Sequence, residues 1–230
     1  MHKNNVVAVI AAHPDDEVLG CGGTIARMAS EGYSVHVLLM ADGESSRVDS
    51  PKMVDSDRLE GRNASRIRAC EILGCASTQQ LVLTDNRMDS LELLDIVKLI
   101  EAFLNKYRPV TVFTHHSGDV NIDHRIVHDA VITACRPQPR FSVRELLFFE
   151  VPSSTEWRPP SSGELFRPNW FVDISQTLDI KLQALGAHHD ELRPFPHPRS
   201  LKAAEALATW RGATVGVNAA EAFILGRKLI

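Results

Sequence analysis

Residues 8–32 read AVIAAHPDDEVLGCGGTIARMASEG. An apolar run, Asn5–Ala12 (NVVAVIAA), stops at His13; Pro14, Asp15, Asp16 and Glu17 follow, then a glycine-rich turn, then a helical pattern. A continuous apolar strand leading through a polar turn into an amphipathic helix is the opening unit of a parallel sheet covered on both faces. In such sheets ligands bind beyond the C-terminal strand ends, which is where these acids stand. Carboxylates packed this closely repel one another unless positive charge lies among them, and a divalent cation supplies it.

Working outward, the alternation continues. Further strands are expected at Ser34–Met40 (SVHVLLM), Gln80–Leu83 (QLVL), Val110–Thr114 (VTVFT) and Leu146–Val151 (LLFFEV), with helices near 17–31, 56–73, 89–106 and 123–135. Right-handed crossovers then give an α/β fold, a Rossmann-like three-layer sandwich with a mostly parallel sheet. Beyond residue 150 the pattern changes. Pro152–Asn169 (PSSTEWRPPSSGELFRPN) has no usable periodicity, and a loop of that length is more often functional than a spacer. Trp170–Ile174 reads as a late strand, followed by helices near 175–190, 200–210 and 218–228. A chain of 230 residues suits one sizeable core, so a single domain over 1–230 is expected.

Composition narrows the function. The formal net charge is −4 and the Lys and Arg residues are scattered, which argues against nucleic acid or an anionic membrane as partner. Val6–Ala12 is too short to span a bilayer and runs straight into charge. Cys21, Cys70, Cys75 and Cys135 form no CxxC pair; they read as reduced, packed thiols of a cytoplasmic protein.

Gly20-Cys21-Gly22-Gly23 does not meet the GxGxxG dinucleotide pattern, and a pyrophosphate there would face carboxylates. Capping of the following helix accounts for one or two of the acids, though not for His13 beside them. The fourth strand supplies the other half of a site: it runs into HHSGDVNIDHRIVHDA, placing His115, His116, Asp119, Asp123, His124 and His128 at a second strand end. His13, Asp16 and one of these histidines make a two-histidine, one-carboxylate set with open positions, suited to zinc or non-haem iron(II). Spacing does not decide which histidine. His124 and His128 share a helix face, whereas His115 and His116 end the strand as packed or hydrogen-bonding residues. The GxSxG, HExxH and GxxxxGK[ST] signatures are absent. Cys21 is a poor nucleophile, since nearby carboxylates raise a thiol's pKa. Trp170 and Trp210 are expected in the core, Trp157 in the pocket-shaping loop, and His188 and His189 at a helix end in solvated or dipole-compensating roles.

Ala12-His13-Pro14-Asp15-Asp16-Glu17 with Leu19-Gly20 resembles the AHPDDExLG signature of the PIG-L/LmbE-like N-acetylglucosaminyl deacetylases. Asp123-His124-Arg125 is similar to the end of that family's HxDH motif, and Arg211-Gly212…Gly216…Ala220-Glu221-Ala222-Phe223 to its closing RGxxxGxxxAEAF. The resemblance implies His13, Asp16 and His124 as ligands of one Zn2+ (with Fe2+ compatible), Asp15 as general base, and Asp123 as the residue that orients a histidine. It implies Arg62, in RNASRIRACEILG, as a substrate-binding residue, although Ser65 stands where relatives often carry Glu. Asn121 replaces the first histidine of HxDH, so the oxyanion role falls to its amide or to another residue, with His197 a further candidate. The implied activity is zinc-dependent deacetylation of an N-acetylated amino sugar or sugar conjugate, in a protein that also allows a homo-oligomer. Two alternatives accompany it: an amidase on a thiol-sugar conjugate, and a non-catalytic sugar- or nucleotide-binding module whose acids cap helices.

Overall fold

The structure, a computed structural model, describes residues 5–43, 56–139, 143–161 and 163–230. Its strands are β1 (Val6–Ala11), β2 (Ser34–Ala41), β3 (Ser77–Leu83), β4 (Thr111–His115), β5 (Glu145–Phe149), β6 (Trp170–Asp173) and β7 (Ala220–Lys228). They form one sheet in the order β3-β2-β1-β4-β5-β7-β6. Strands β1 to β5 pair in parallel, and β7 runs antiparallel to both β5 and β6. The expected mostly parallel α/β sandwich is therefore the observed fold.

Alternation along β1 explains why the run reads as continuously apolar. Val7, Val9 and Ala11 face one layer, with Val18, Ile25, Leu73 and Ala184. Ala8 and Ile10 face the other, with Ile96, Ile100, Val127 and Val131. Helices α1 (Asp16–Ser30), α2 (Ser56–Leu73) and α5 (Leu178–Ala187) cover the first face; α3 (Leu93–Tyr107) and α4 (Ile122–Ala134) cover the second. Strand order reverses between β1 and β4, which opens a crevice at their C-terminal ends.

One element differs in kind from the sequence expectation. In the stretch near 218–228, read as a helix, Ala220–Lys228 form β7, inserted between β5 and β6. Ala, Glu and Leu favour helix, but Phe223 packs into one layer and Ile224 into the other, and the pairing on both edges overrides propensity. Helix α6 (Leu201–Ala213) lies where a helix was expected. Trp170 packs against the core, whereas Trp210 is 65% exposed on α6, so the core reading fails for it.

Helix α1 is broken at Cys21 (φ −149°, ψ 23°). A Cβ on Gly20 would come within 2.3 Å of Phe149, and one on Gly23 within 2.7 Å of Ile174. These glycines therefore let the helix sit directly on the sheet, a packing role and not a phosphate cradle. The break releases backbone groups that side chains recover. Glu221 accepts from Gly23 N at 2.9 Å and Thr24 N at 2.7 Å. Lys181 Nζ donates to Leu19 O at 2.8 Å and to Glu221 Oε1 at 2.6 Å.

Candidate metal centre

The crevice beyond β1 and β4 collects the residues singled out above. His13 follows β1, Asp16 opens α1, and His124 sits in the first turn of α4, which Asn121 caps by accepting from Asp123 N at 2.8 Å. Asp16 Oδ2 accepts from His13 N at 2.9 Å and lies 3.3 Å from His13 Nδ1 and 3.2 Å from His124 Nε2. All three side chains are buried, and one ligand atom from each lies within 4.8 Å of the other two.

The outward-facing nitrogens of the two imidazoles are each held by carboxylates. His13 Nε2 lies 3.0 Å from Asp85 Oδ1 and 3.1 Å from Asp123 Oδ2. His124 Nδ1 lies 3.1 Å from Asp119 Oδ2. Carboxylates behind imidazoles fix ring orientation and raise ligand basicity, as metal-binding histidines require. Asp123 is itself fixed by Asn86 N at 2.6 Å and Met88 N at 3.0 Å.

Among the described residues, Asp16 Oδ1 and both ring nitrogens of His124 are buried without a well-aligned hydrogen bond. Buried polar atoms normally find partners, and leaving one unmet costs roughly 1–3 kcal/mol. His124 Nε2 faces the Asp16 carboxylate at 3.2 Å while Nδ1 turns away to Asp119, so Asp16 and Nε2 fit a cation between them, and the nitrogen and oxygen donors suit zinc or iron(II). The electrostatics agree. Burial alone would raise Asp16, but His124 and His13 hold its carboxyl well below the usual range. Burial alone would lower the imidazoles, yet Asp16 and Asp119 hold His124 up at about 9, and Asp123, Asp16 and Asp85 hold His13 well above its ordinary value. The cluster thus favours positive charge at its centre.

The other histidines separate cleanly. His115 Nε2 accepts from Ala12 N at 2.8 Å, and burial followed by the charge of His124 keeps the ring neutral while it stacks on His124 at 4.0 Å. His128 Nδ1 bonds to His115 O at 2.7 Å, and His116 Nε2 to Glu164 O at 3.0 Å. His188, expected at a helix end in a solvated or dipole-compensating role, does stand at the C-cap of α5, but it is buried and burial pushes its ring down to about 4. His197 accepts from Arg199 N at 3.1 Å within its own loop.

Asp15 departs from helix-capping behaviour. It stands at the N-cap of α1 in the left-handed region (φ 105°), rare for a residue with a side chain, and makes no capping side-chain bond. Instead its Oδ2 accepts from Arg199 Nη1 at 3.0 Å. Burial raises its pKa to about 6, against the lowering pull of Arg199 and with the repulsion of Asp16 adding to the rise. Burial pushes Glu17 higher still, to about 8, with its Oε2 accepting from Asp15 N at 3.1 Å.

Arg62 donates to Asp42 O at 3.0 Å and pairs with Glu191, which also meets Arg199 Nη1 at 3.4 Å. An ionic chain, Arg62–Glu191–Arg199–Asp15, thereby reaches the site from the C-terminal third. Sequence reasoning passed over Glu191, Arg199 and Asp85. Only Asp85 carried a usable signal, lying just past the end of β3 at the same edge of the sheet.

Comparison with known proteins points the same way. The family described as PIG-L, GlcNAc-PI de-N-acetylase, matches residues 8–135, a span containing His13, Asp16, Asp123 and His124 but not Arg199. The uncharacterized deacetylase YaiS of Escherichia coli is 30% identical over 192 residues, covering 81% of this chain and 92% of that protein. Diacetylchitobiose deacetylase of Thermococcus kodakarensis is 28% identical over 192 residues, covering 80% and 69%. Among solved structures, the conserved protein TT1542 of Thermus thermophilus superposes with a TM-score of 0.76 at 28% identity, covering 97% and 96% of the two chains.

Proposed function

The chain belongs to the PIG-L, GlcNAc-PI de-N-acetylase, family, and from that membership we propose a metal-dependent N-deacetylase that hydrolyses the acetamide of an N-acetylated amino sugar or sugar conjugate and releases acetate. The observation that carries this reading is the convergence of His13 Nδ1, Asp16 and His124 Nε2 beside a buried Asp16 Oδ1 that has no hydrogen bond, with Asp15 next in the chain. We read residues 1–230 as one such domain, because a single sheet ties residues 6–228 together. The four cysteines lie outside disulfides, which suits a reducing, cytoplasmic setting. No helix among the described residues is long and apolar enough to cross a membrane.

In this reading His13, Asp16 and His124 hold one divalent ion, zinc first and iron(II) next. Such an ion would supply Lewis-acid polarisation of the acetyl carbonyl and a lowered pKa for attacking water near neutral pH. Asp15, with a pKa of about 6, is suited to take the proton of the attacking water. The same carboxyl then returns the proton to the departing amine nitrogen as the C–N bond breaks, leaving a free amine and acetic acid, which gives its proton to solvent as acetate. Asn121 uses its carbonyl as the helix cap and one amide hydrogen on Asn86 Oδ1 at 3.1 Å; its second hydrogen is the donor assigned to the oxyanion. Arg62 belongs to the substrate side, where its charge acts on Asp15. Asp123 orients His13 and does not itself exchange a proton with substrate.

Two measurements test the proposal. Metal analysis of purified protein should find about one ion per chain, lost in Asp16→Ala, as expected of a single catalytic site. Acetate release should be found with one or more N-acetylhexosamine derivatives and vanish in Asp15→Asn. Activity confined to thiol-sugar conjugates would move the substrate class; full activity in Asp15→Asn would remove the base.

A further inference from the structure

Three consecutive hydroxyls, Ser153, Ser154 and Thr155, lie at the start of the Pro/Ser-rich loop that follows β5. Their turn is itself fixed. Glu156 accepts from Ser153 N at 2.7 Å and from Ser154 N at 3.2 Å, and Thr155 Oγ1 accepts from Val151 N at 2.8 Å. From this fixed turn the hydroxyls point to two different places. Ser154 Oγ donates to Asp119 Oδ1, and Thr155 Oγ1 donates to Asp119 Oδ2 at 2.7 Å. Asp119, fully buried, is the carboxylate behind His124 Nδ1. Ser153 Oγ accepts from Arg199 Nε at 2.7 Å, and the same guanidinium holds Asp15 through Nη1.

We infer that Ser153-Ser154-Thr155 is one positioning device serving both halves of the site: Ser154 and Thr155 aim His124 through Asp119, while Ser153 aims Asp15 through Arg199. This rests on the reading of His13, Asp16 and His124 as metal ligands. A carboxylate with two side-chain donors cannot rotate away from its imidazole, so the ring keeps Nε2 turned towards Asp16. A guanidinium anchored at Nε has a defined direction at Nη1, and Asp15 occupies a backbone conformation that needs outside support. Because the donors are consecutive on one turn, the ligand and the base are tied to a common support. None of these residues touches the reacting atoms.

Effects on metal binding and on turnover should therefore divide along the turn. Zn2+ affinity of the metal-stripped protein would be measured by competition with a chromophoric chelator, and kcat by acetate release from a substrate found in the screen above. Ser154→Ala and Thr155→Val should weaken Zn2+ binding about 10–100-fold, the usual cost of losing support behind a ligand. Thr155→Ser, which keeps the hydroxyl, should bind Zn2+ like the unsubstituted chain. Ser153→Ala and Arg199→Ala should leave Zn2+ affinity unchanged and lower kcat by about tenfold to hundredfold through misplacement of Asp15. Added guanidinium ion should restore part of the Arg199→Ala loss. Circular dichroism melts of the metal-stripped variants separate unfolding from misplacement, and Thr155→Ser remains informative if Thr155→Val does not fold. Equal loss of Zn2+ affinity in Ser153→Ala, Ser154→Ala, Thr155→Val and Arg199→Ala, or a Thr155→Ser as weak as Thr155→Val, overturns the inference. Failure of the unsubstituted chain to bind Zn2+ would overturn the ligand reading instead.

Discussion

Helix α1 carries a buried charged assembly at each of two points, and the two are built on opposite principles. At its break, Lys181 and Glu221 form a closed set: both Glu221 oxygens accept backbone N–H groups, and the ammonium bridges Glu221 to Leu19 O. At its start, Asp16 Oδ1 and His124 Nε2 are buried without a well-aligned hydrogen bond, and the surrounding acids hold both imidazoles above their ordinary pKa. At the break, the charges and backbone groups gathered by Lys181 and Glu221 cancel. At the start, Asp16 Oδ1 and His124 Nε2 stay unmatched in the crevice beyond β1 and β4, and it is this unmatched pair, set among acids and imidazoles, that distinguishes the two assemblies.

The largest effect should come from closing the open assembly. Asp16→Asn keeps the shape but removes the central anion, and kcat/KM should fall by about a thousandfold or more, equivalent to roughly 4 kcal/mol of transition-state stabilisation. Metal content should fall with it. An Asp16→Asn enzyme with near-normal activity would erase the distinction between the two assemblies.

Opening the closed assembly should cost stability instead. Glu221→Ala strands a buried ammonium and the N–H groups of Gly23 and Thr24, which should lower unfolding free energy by about 3–5 kcal/mol in urea titrations. Pairing Lys181→Met with Glu221→Gln should cost less than Glu221→Ala, because no unmatched charge remains.

The neighbouring acids sharpen the contrast within three residues. Asp15, Asp16 and Glu17 share a chain segment, yet their environments send them to about 6, well below normal, and about 8. Glu17 holds its proton in the fold up to about pH 8, whereas the unfolded chain releases it near 4.5. Its contribution to stability is therefore full below pH 4.5 and declines as pH rises towards 8. Glu17→Gln, which mimics the protonated acid, should match the unsubstituted metal-stripped chain at pH 4 and exceed it by on the order of 3 kcal/mol at pH 7. Equal stability at both values would mean that Glu17 is ionised inside the fold.

Much of this architecture is legible in the residues themselves. Strands buried on both faces announce themselves as β1, β2 and β4, and strand ends rich in His and Asp mark the crevice, because parallel α/β sheets place ligands there. The family resemblance points to His124, where spacing alone leaves His128 open; the structure gives His128 a bond to His115 O at 2.7 Å. The C-terminal third is harder to read for a physical reason. Arg199, Glu191 and the Ser153–Thr155 turn contribute singly, from irregular segments whose place depends on long-range contacts such as Arg199 to Asp15 across 184 positions. Strand β7 is hidden because its partners on both edges, not its own propensity, make it extended.

Asn121 lies on the boundary between the two kinds of assembly, and the smallest effect belongs to it. Its carbonyl caps α4 and one amide hydrogen binds Asn86, as a structural residue would do; its remaining hydrogen is assigned to the oxyanion. Asn121→Ser separates these roles, since Ser caps about as well as Asn but offers no amide. Stability should change by less than about 0.5 kcal/mol, as for an exchange between good caps. Removal of a lone oxyanion donor costs about 10²–10³ in rate, but a metal ion sharing the charge should reduce that here to about tenfold in kcat, with KM little changed. An unchanged kcat would place Asn121 with Lys181 and Glu221, among groups whose pairing is complete, and the oxyanion would then fall to the cation and to donors on the loops that carry Arg199.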